Sequence, residues 1–265
     1  MELSFSSRPL RFVLLLFFFL IFTLQYFTVA STTCHVDDET GLLGFKSSIT
    51  ADPSGMLSSW KPGTDCCTWA FITCLFKDRV TSIFISGQSD KPNSFLSGRI
   101  SPSLSKLKSL NGLYLLNLRN ISGPFPGFLS ELPNLQFIYI ENNKLSGQIP
   151  ASIGNLTGLS ALSLAGNRFT GPIPSSISRL TKLTQLKLGQ NLLSGPIPYG
   201  IRQLKNLTVL SLDQTASLAP YQIFSRRSRI SESSIFPITN FPENSRHPFP
   251  PSRRNWPTSS WATML

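Results

Sequence analysis

Residues 156–177 read Leu156-Thr157-Gly158-Leu159-Ser160-Ala161-Leu162-Ser163-Leu164-Ala165-Gly166-Asn167-Arg168-Phe169-Thr170-Gly171-Pro172-Ile173-Pro174-Ser175-Ser176-Ile177. The pattern returns at a step of 24 residues, which relates Leu156, Leu180 and Leu204, then Ile140, Leu164, Leu188 and Leu212, and likewise Gly147, Gly171 and Gly195. The alternation Leu162-Ser163-Leu164 predicts a short strand with its leucines turned inward and Ser163 outward into solvent. One such coil cannot bury its own leucines, but a stack of coils can, so the period predicts a solenoid with covered ends. Asn143, Asn167 and Asn191 recur where the chain leaves the strand. An amide there both donates to and accepts from backbone, so these are expected to form a structural ladder. Pro150, Pro174 and Pro198 forbid a continuing helix and predict a convex side of short strands or 3₁₀ turns.

Upstream the period loosens. Leu113 to Pro126 belongs to an atypical repeat of about 25 residues in which Arg119 stands in the ladder slot. A degenerate coil precedes it through Val80, Ile83, Ile85, Leu96, Gly98 and Ile100, with extra residues around Ser89 to Ser94. At the start, Arg8 and Arg11 precede an apolar run from Phe12 to Phe22, followed by Thr28, Val29 and Ala30. That run is shorter than the roughly 20 residues of a membrane span. It has the layout of a signal peptide over residues 1–30, cleaved near Ala30, with an uncleaved anchor as the alternative.

All four cysteines, Cys34, Cys66, Cys67 and Cys74, follow this leader. Two disulfides are expected in an oxidising compartment. Of the three possible pairings, Cys34–Cys66 with Cys67–Cys74 is preferred, because the adjacent Cys66 and Cys67 should point apart. Zinc is disfavoured: His35 and His247 are the only histidines, and paired C-x-x-C elements are missing.

The formal charge of +11 is spread out: residues 31–213 hold 16 Lys+Arg against 10 Asp+Glu, and residues 214–265 hold 6 against 2. No dense basic run with interleaved aromatics marks a nucleic-acid groove, so nucleic acid is not an expected partner. Mild positive charge favours acidic partners, including acidic wall polysaccharide. No G-x-S-x-G, H-E-x-x-H or phosphate-loop signature occurs, and the chain reads as a non-enzyme with no cofactor or metal. Asp37, Asp38 and Glu39 are assigned to the start of a helix, where acids suit the N-terminus.

The L-x-G-x-I-P segments resemble those of plant-type leucine-rich repeats, and Trp60 with Asp65-Cys66-Cys67-Thr68-Trp69 and Cys74 is similar to the cysteine-paired N-terminal cap of that family. The resemblance covers roughly residues 34–213 and is strongest to secreted polygalacturonase-inhibitor-like proteins and the related DNA-damage-repair/toleration group. It implies an α/β solenoid, a right-handed superhelix, with Leu42, Leu43 and Phe45 on a short cap helix. Phe71 departs from it, standing where the cap motif usually has glycine. The domain reading is therefore a signal peptide at 1–30, a cap at 31–78, about five to six coils at 79–213, and a tail at 214–265.

Binding is expected on the concave face, whose outward strand positions are Tyr139, Glu141, Asn142, Ser163, Ala165, Lys187, Gln190, Ser211 and Asp213. Their mixture of acid, base, amide and aromatic suits protein recognition. The resemblance implies a secreted inhibitor that grips a fungal cell-wall hydrolase. The alternative is a wall structural or signalling component that binds polysaccharide or a receptor. A nuclear repair role is opposed by the leader and the disulfides. Three sequons, at Asn120, Asn155 and Asn206, are candidate glycosylation sites, with Asn120 the least favoured.

After Asp213 the period stops, and Ser, Pro and Arg accumulate without apolar order, which predicts a disordered tail. Shifting the reading frame permits Thr215 to Gln222 to be re-read as N-R-L-S-G-P-I-P and Ile238 to Asn244 as H-N-K-F-S-G-K. Both fall in the 24-residue register. The tail is accordingly read as frame-shifted repeats and the product as truncated.

Overall fold

The computed structural model describes residues 34–75 and 78–215. The leader with its cleavage point and the reading of the tail therefore lie outside the described residues.

One helix, α1 (Val36–Ser47), opens the described chain. Asp37, Asp38 and Glu39 occupy its first turn and Lys46 its last, an arrangement that suits the helix dipole. Leu42 and Phe45 are fully buried, and Leu43 is partly so. Below them Trp60 is sealed between Phe45 and Trp69, with ring centroids 6.1 and 5.7 Å away. Its indole N–H donates to Ala70 O at 2.9 Å. Disulfides Cys34–Cys66 and Cys67–Cys74 close this cap, with Cα separations of 5.2 and 5.5 Å. The helix rests on the first coil at Gly41, where an added Cβ would lie 2.5 Å from Leu107 Cδ1.

Thirteen short strands follow among the described residues: β1 (Ile49–Ala51), β2 (Ile72–Leu75), β3 (Arg79–Ser86), β4 (Leu96–Arg99), β5 (Gly112–Leu116), β6 (Arg119–Gly123), β7 (Phe137–Glu141), β8 (Lys144–Gln148), β9 (Ala161–Ser163), β10 (Arg168–Gly171), β11 (Gln185–Lys187), β12 (Leu192–Leu193) and β13 (Val209–Ser211). A seven-stranded sheet runs β2-β3-β5-β7-β9-β11-β13, parallel except for β2. A six-stranded sheet on the other side runs β1-β4-β6-β8-β10-β12, parallel except for β1. Register aligns Leu113, Ile138, Leu162, Leu186 and Leu210, each side chain on the apolar stack inside the coils. The first four of these are completely buried. The convex connections are 3₁₀ turns that begin directly after Pro126, Pro150, Pro174 and Pro198.

The asparagine ladder forms as its chemistry requires. Asn167 donates to Ile140 O and Leu164 O at 2.7 and 3.0 Å and accepts from Leu145 N–H at 3.1 Å. Asn191 repeats this one coil later, accepting from Phe169 N–H at 3.0 Å. The residue before each ladder position is left-handed: Asn142, Gly166, Gln190 and Gln214 have φ of 55°, 68°, 53° and 52°. Asn117 has φ 54°, which fixes the ladder slot of the irregular coil at Leu118.

This corrects the assignment of Arg119 to that slot. Leu118 is fully buried, whereas Arg119 is exposed, also left-handed at φ 67°, and is the extra residue. A hydrocarbon at 118 cannot continue the ladder, and Asn143 Oδ1 is left buried without a partner. Arg119 instead donates to Pro92 O, Gln88 O and Ser89 O at 3.1–3.4 Å, pinning the insertion in the first coil.

Candidate functional site on the concave sheet

Parallel pairing places Phe84, Tyr114, Tyr139, Ser163, Lys187 and Ser211 in one row across the outer face of the seven-stranded sheet. Phe84 and Tyr114 were absent from the residues expected there. They pack with ring centroids 5.4 Å apart, and Tyr114 stacks on Tyr139 at 5.2 Å and 13°. The two tyrosine rings therefore lie face to face, and Phe84 is tilted 40° against Tyr114. Phe84 keeps 49% of its surface. Tyr139 O–H donates to Gln185 Oε1 at 2.7 Å. Burial raises the Tyr114 phenol above the usual value of 10.0. Burial raises Tyr139 as well, followed by the nearby Tyr114 and the Glu141 carboxylate. Both phenols thus stay neutral throughout the acidic and neutral range.

Beyond the aromatics the face turns polar. Glu141 is half-buried and accepts from Ser163 Oγ at 2.5 Å. Ser163 sits in the predicted row, but its exposure is 0%, so it supports Glu141 instead of meeting a partner. The expectation that it is solvated is corrected: in so narrow a strand the neighbouring side chains close over a serine. Lys187, fifth of the six in the row, is half-buried and makes no ion pair among the described residues. Ser211 Oγ donates to Asp213 Oδ1. Asn142 and Gln190 are exposed at the rim where the strands end, and Asn142 Nδ2 donates to Asn117 Oδ1 at 2.6 Å. Ala165 is half-buried at the same rim.

Of the three sequon asparagines, Asn155 ends a 3₁₀ turn and Asn206 donates to Thr181 O at 2.9 Å, and both are exposed. Asn120 is half-buried within β6. The sulfurs of Cys34, Cys66 and Cys67 lie within 4.8 Å of one another, a proximity the two disulfides account for.

Residues 35–75 match the leucine rich repeat N-terminal domain, and residues 93–224 match the leucine-rich repeat region. The chain is a leucine-rich-repeat protein. It is similar to polygalacturonase inhibitor 2 of Arabidopsis thaliana, 40% identical over 125 residues, which cover 46% of this chain and 36% of that protein. It is similar also to DNA damage-repair/toleration protein DRT100 of the same plant, 33% identical over 121 residues, covering 42% and 32%. Among solved structures, the leucine-rich-repeat solenoid superposes on pollen receptor kinase 3 with TM-score 0.62 and 30% identity, covering 72% of this chain and 90% of that one. The repeat protein spans about a third of the length of the curated relatives it matches. Among its described residues no helix is long and apolar enough to cross a membrane.

Proposed function

We propose that this leucine-rich-repeat protein is an extracellular binding module that uses the outer face of its seven-stranded sheet to hold a cell-wall polygalacturonase and inhibit it. The observation that carries the reading is the aromatic row Phe84–Tyr114–Tyr139, which ends in a half-exposed ring and borders Glu141, with Lys187 two strands beyond Tyr139. Rigid aromatic edges beside a few polar anchors are the usual centre of a protein–protein contact. The similarity to polygalacturonase inhibitor 2 supports the enzyme as partner.

The test is hydrolysis of polygalacturonate by a panel of fungal polygalacturonases with the full chain added, alongside co-precipitation of each enzyme. Slowed hydrolysis by at least one enzyme is expected. Tyr114→Ala and Tyr139→Ala should weaken it by about tenfold or more, the scale of an interface hot spot. Unchanged hydrolysis and no retained enzyme across the panel would overturn the inhibitor reading. Capture of a receptor ectodomain on the same aromatic row would replace it with the signalling alternative.

A further inference from the structure

Register sets Tyr114 directly opposite Tyr139 on parallel neighbouring strands, so both side chains leave the same face of the sheet. Their rings stand 13° from parallel with centroids 5.2 Å apart, and both residues are half-buried, neither closed off from solvent. Gly112 makes room for this stack. A Cβ there would lie 2.6 Å from Tyr114 Cε2, so any side chain at that position would push the ring aside. On the other ring, the Tyr139 O–H is held by Gln185 Oε1 at 2.7 Å. The pair has no third phenol beside it: Phe84 flanks Tyr114 at 5.4 Å, and Ser163 follows Tyr139 in the row. The remaining tyrosine among the described residues, Tyr199, is exposed on a convex turn against Arg202.

We propose that Tyr114 and Tyr139 form an oxidative cross-linking site, where a haem peroxidase supplied with hydrogen peroxide joins the two rings as dityrosine. Each phenol gives up one electron and its O–H proton, and the peroxide takes both pairs to become two waters. The unpaired spin of each phenoxyl radical is shared with the ring carbons beside the oxygen, the Cε atoms. One Cε of each residue then joins the other in a new C–C bond. The hydrogens those two carbons carried pass through water to the oxygens, which become phenols again, so the protein loses two hydrogens and keeps no atom of the oxidant. A partner already in contact reacts far ahead of one that must arrive by diffusion, which favours this pair over any link between molecules. The cap's two disulfides suit the same oxidising surroundings. The link would staple the coil of β5 to the coil of β7 beside the interrupted ladder, where Asn143 Oδ1 has no partner. It would also close a span of 25 residues (139 − 114) in the unfolded chain and lower the entropy of that state.

The full chain is treated with a haem peroxidase and limiting hydrogen peroxide, then digested with trypsin. Cleavage after Lys108, Arg119 and Lys144 puts the two residues in separate peptides, 109–119 and 120–144, with one tyrosine each. The expected product is these peptides joined with the loss of two hydrogens, dityrosine fluorescence in the monomer band of a denaturing gel, and a yield unchanged when the protein is diluted. Tyr114→Phe and Tyr139→Phe should each lose the linked pair while Tyr199 still reacts. The linked chain should unfold at higher urea than the untreated one, and peroxidase-treated Tyr139→Phe should show no such shift. Absence of the linked pair under conditions that consume Tyr199, a yield that falls on dilution, or a linked chain that unfolds like the untreated one would each overturn the proposal. Polygalacturonase inhibition is measured without oxidant, so the staple and the proposed partner can fail separately.

Discussion

Arg79 grips the wholly buried carboxylate of Asp38 with two parallel bonds, Nε to Oδ2 at 3.0 Å and Nη2 to Oδ1 at 2.9 Å. Val80 N–H adds a third at 2.8 Å, so one side chain of α1 fastens the cap to the first coil strand, β3. Removing Asp38 leaves the Val80 N–H without its acceptor and the partly buried Arg79 guanidinium without its anion. Asp38→Ala is expected to cost about 3–5 kcal/mol in urea unfolding, and Asp38→Asn less, since the amide keeps one acceptor. A loss below about 1 kcal/mol for the alanine variant would show that solvent reaches Arg79 and that the pair is not the fastening.

Phe71 holds φ at 70°, the left-handed region where the family's cap motif has glycine. That conformation costs a side chain about 1–2 kcal/mol, and Phe71 recovers part of it by packing its half-buried ring against the core. Alanine keeps the strain and loses the ring; glycine loses both. Phe71→Gly is therefore expected to be more stable than Phe71→Ala by about 1 kcal/mol, measured as the difference in unfolding free energy. The reverse order would mean that the turn relaxes when the ring is removed.

Leu164→Asp puts an unpaired charge into a site with 0% exposure, and Ser163→Asp puts a second carboxylate against Glu141 in a site that is equally closed. Both variants should lose several kcal/mol. Ser163→Ala, which removes one bond to a charged acceptor, should lose about 1.5–3 kcal/mol. Thermal melts of the three variants decide it: a wild-type-like Ser163→Asp would restore the solvated reading of that position.

Alkaline titration tests the aromatic row. The folded Tyr114 and Tyr139 phenols are raised above 10.0, so the folded state holds their protons longer than the unfolded one. Their contribution to stability is whole below pH 10 and is lost as pH climbs through the raised values. Phenolate absorbance should show two tyrosines ionising late, and the denaturation midpoint should fall above pH 10. Tyr114→Phe should remove one of the late steps. Simultaneous ionisation of all tyrosines near the ordinary value would mean the row is open to water.

Much of this architecture is written in the period itself. Leucines, ladder asparagines and prolines repeat at 24 residues because each coil has the same inside, and the preferred cysteine pairing is the one observed, although the divergence of the neighbours Cys66 and Cys67 excludes only their own union. The aromatic row escaped that reading for a definite reason. Phe84 and Tyr114 are 30 residues apart and Tyr114 and Tyr139 are 25 apart, so only strand pairing brings them into line. Arg119 was assigned by counting back 24 from Asn143, which fails in a coil one residue longer. Asp38 looked like a helix-dipole acid, and nothing local announces that Arg79, 41 residues away, will close on it. The closed site of Ser163 was equally hidden, since alternation tells which way a side chain points and not what its neighbours on adjacent strands cover.

The broken ladder at Leu118 divides the solenoid into two pieces whose coils are joined differently. On one side each amide spans two coils in the same way, Asn167 bonding Ile140 O and Leu145 N–H and Asn191 bonding Leu164 O and Phe169 N–H. On the other, strands β5 and β7 still pair over five residues, but the amide contact is reduced to Asn143 Nδ2 reaching Leu115 O at 2.9 Å, while Oδ1 reaches nothing and Arg119 turns away toward the first coil. The regular coils are interchangeable units, each presenting the next with the same amide partners, and the joint at Leu118 is not. The number of regular coils can therefore change in steps of 24 residues while the cap and its two irregular coils stay as they are.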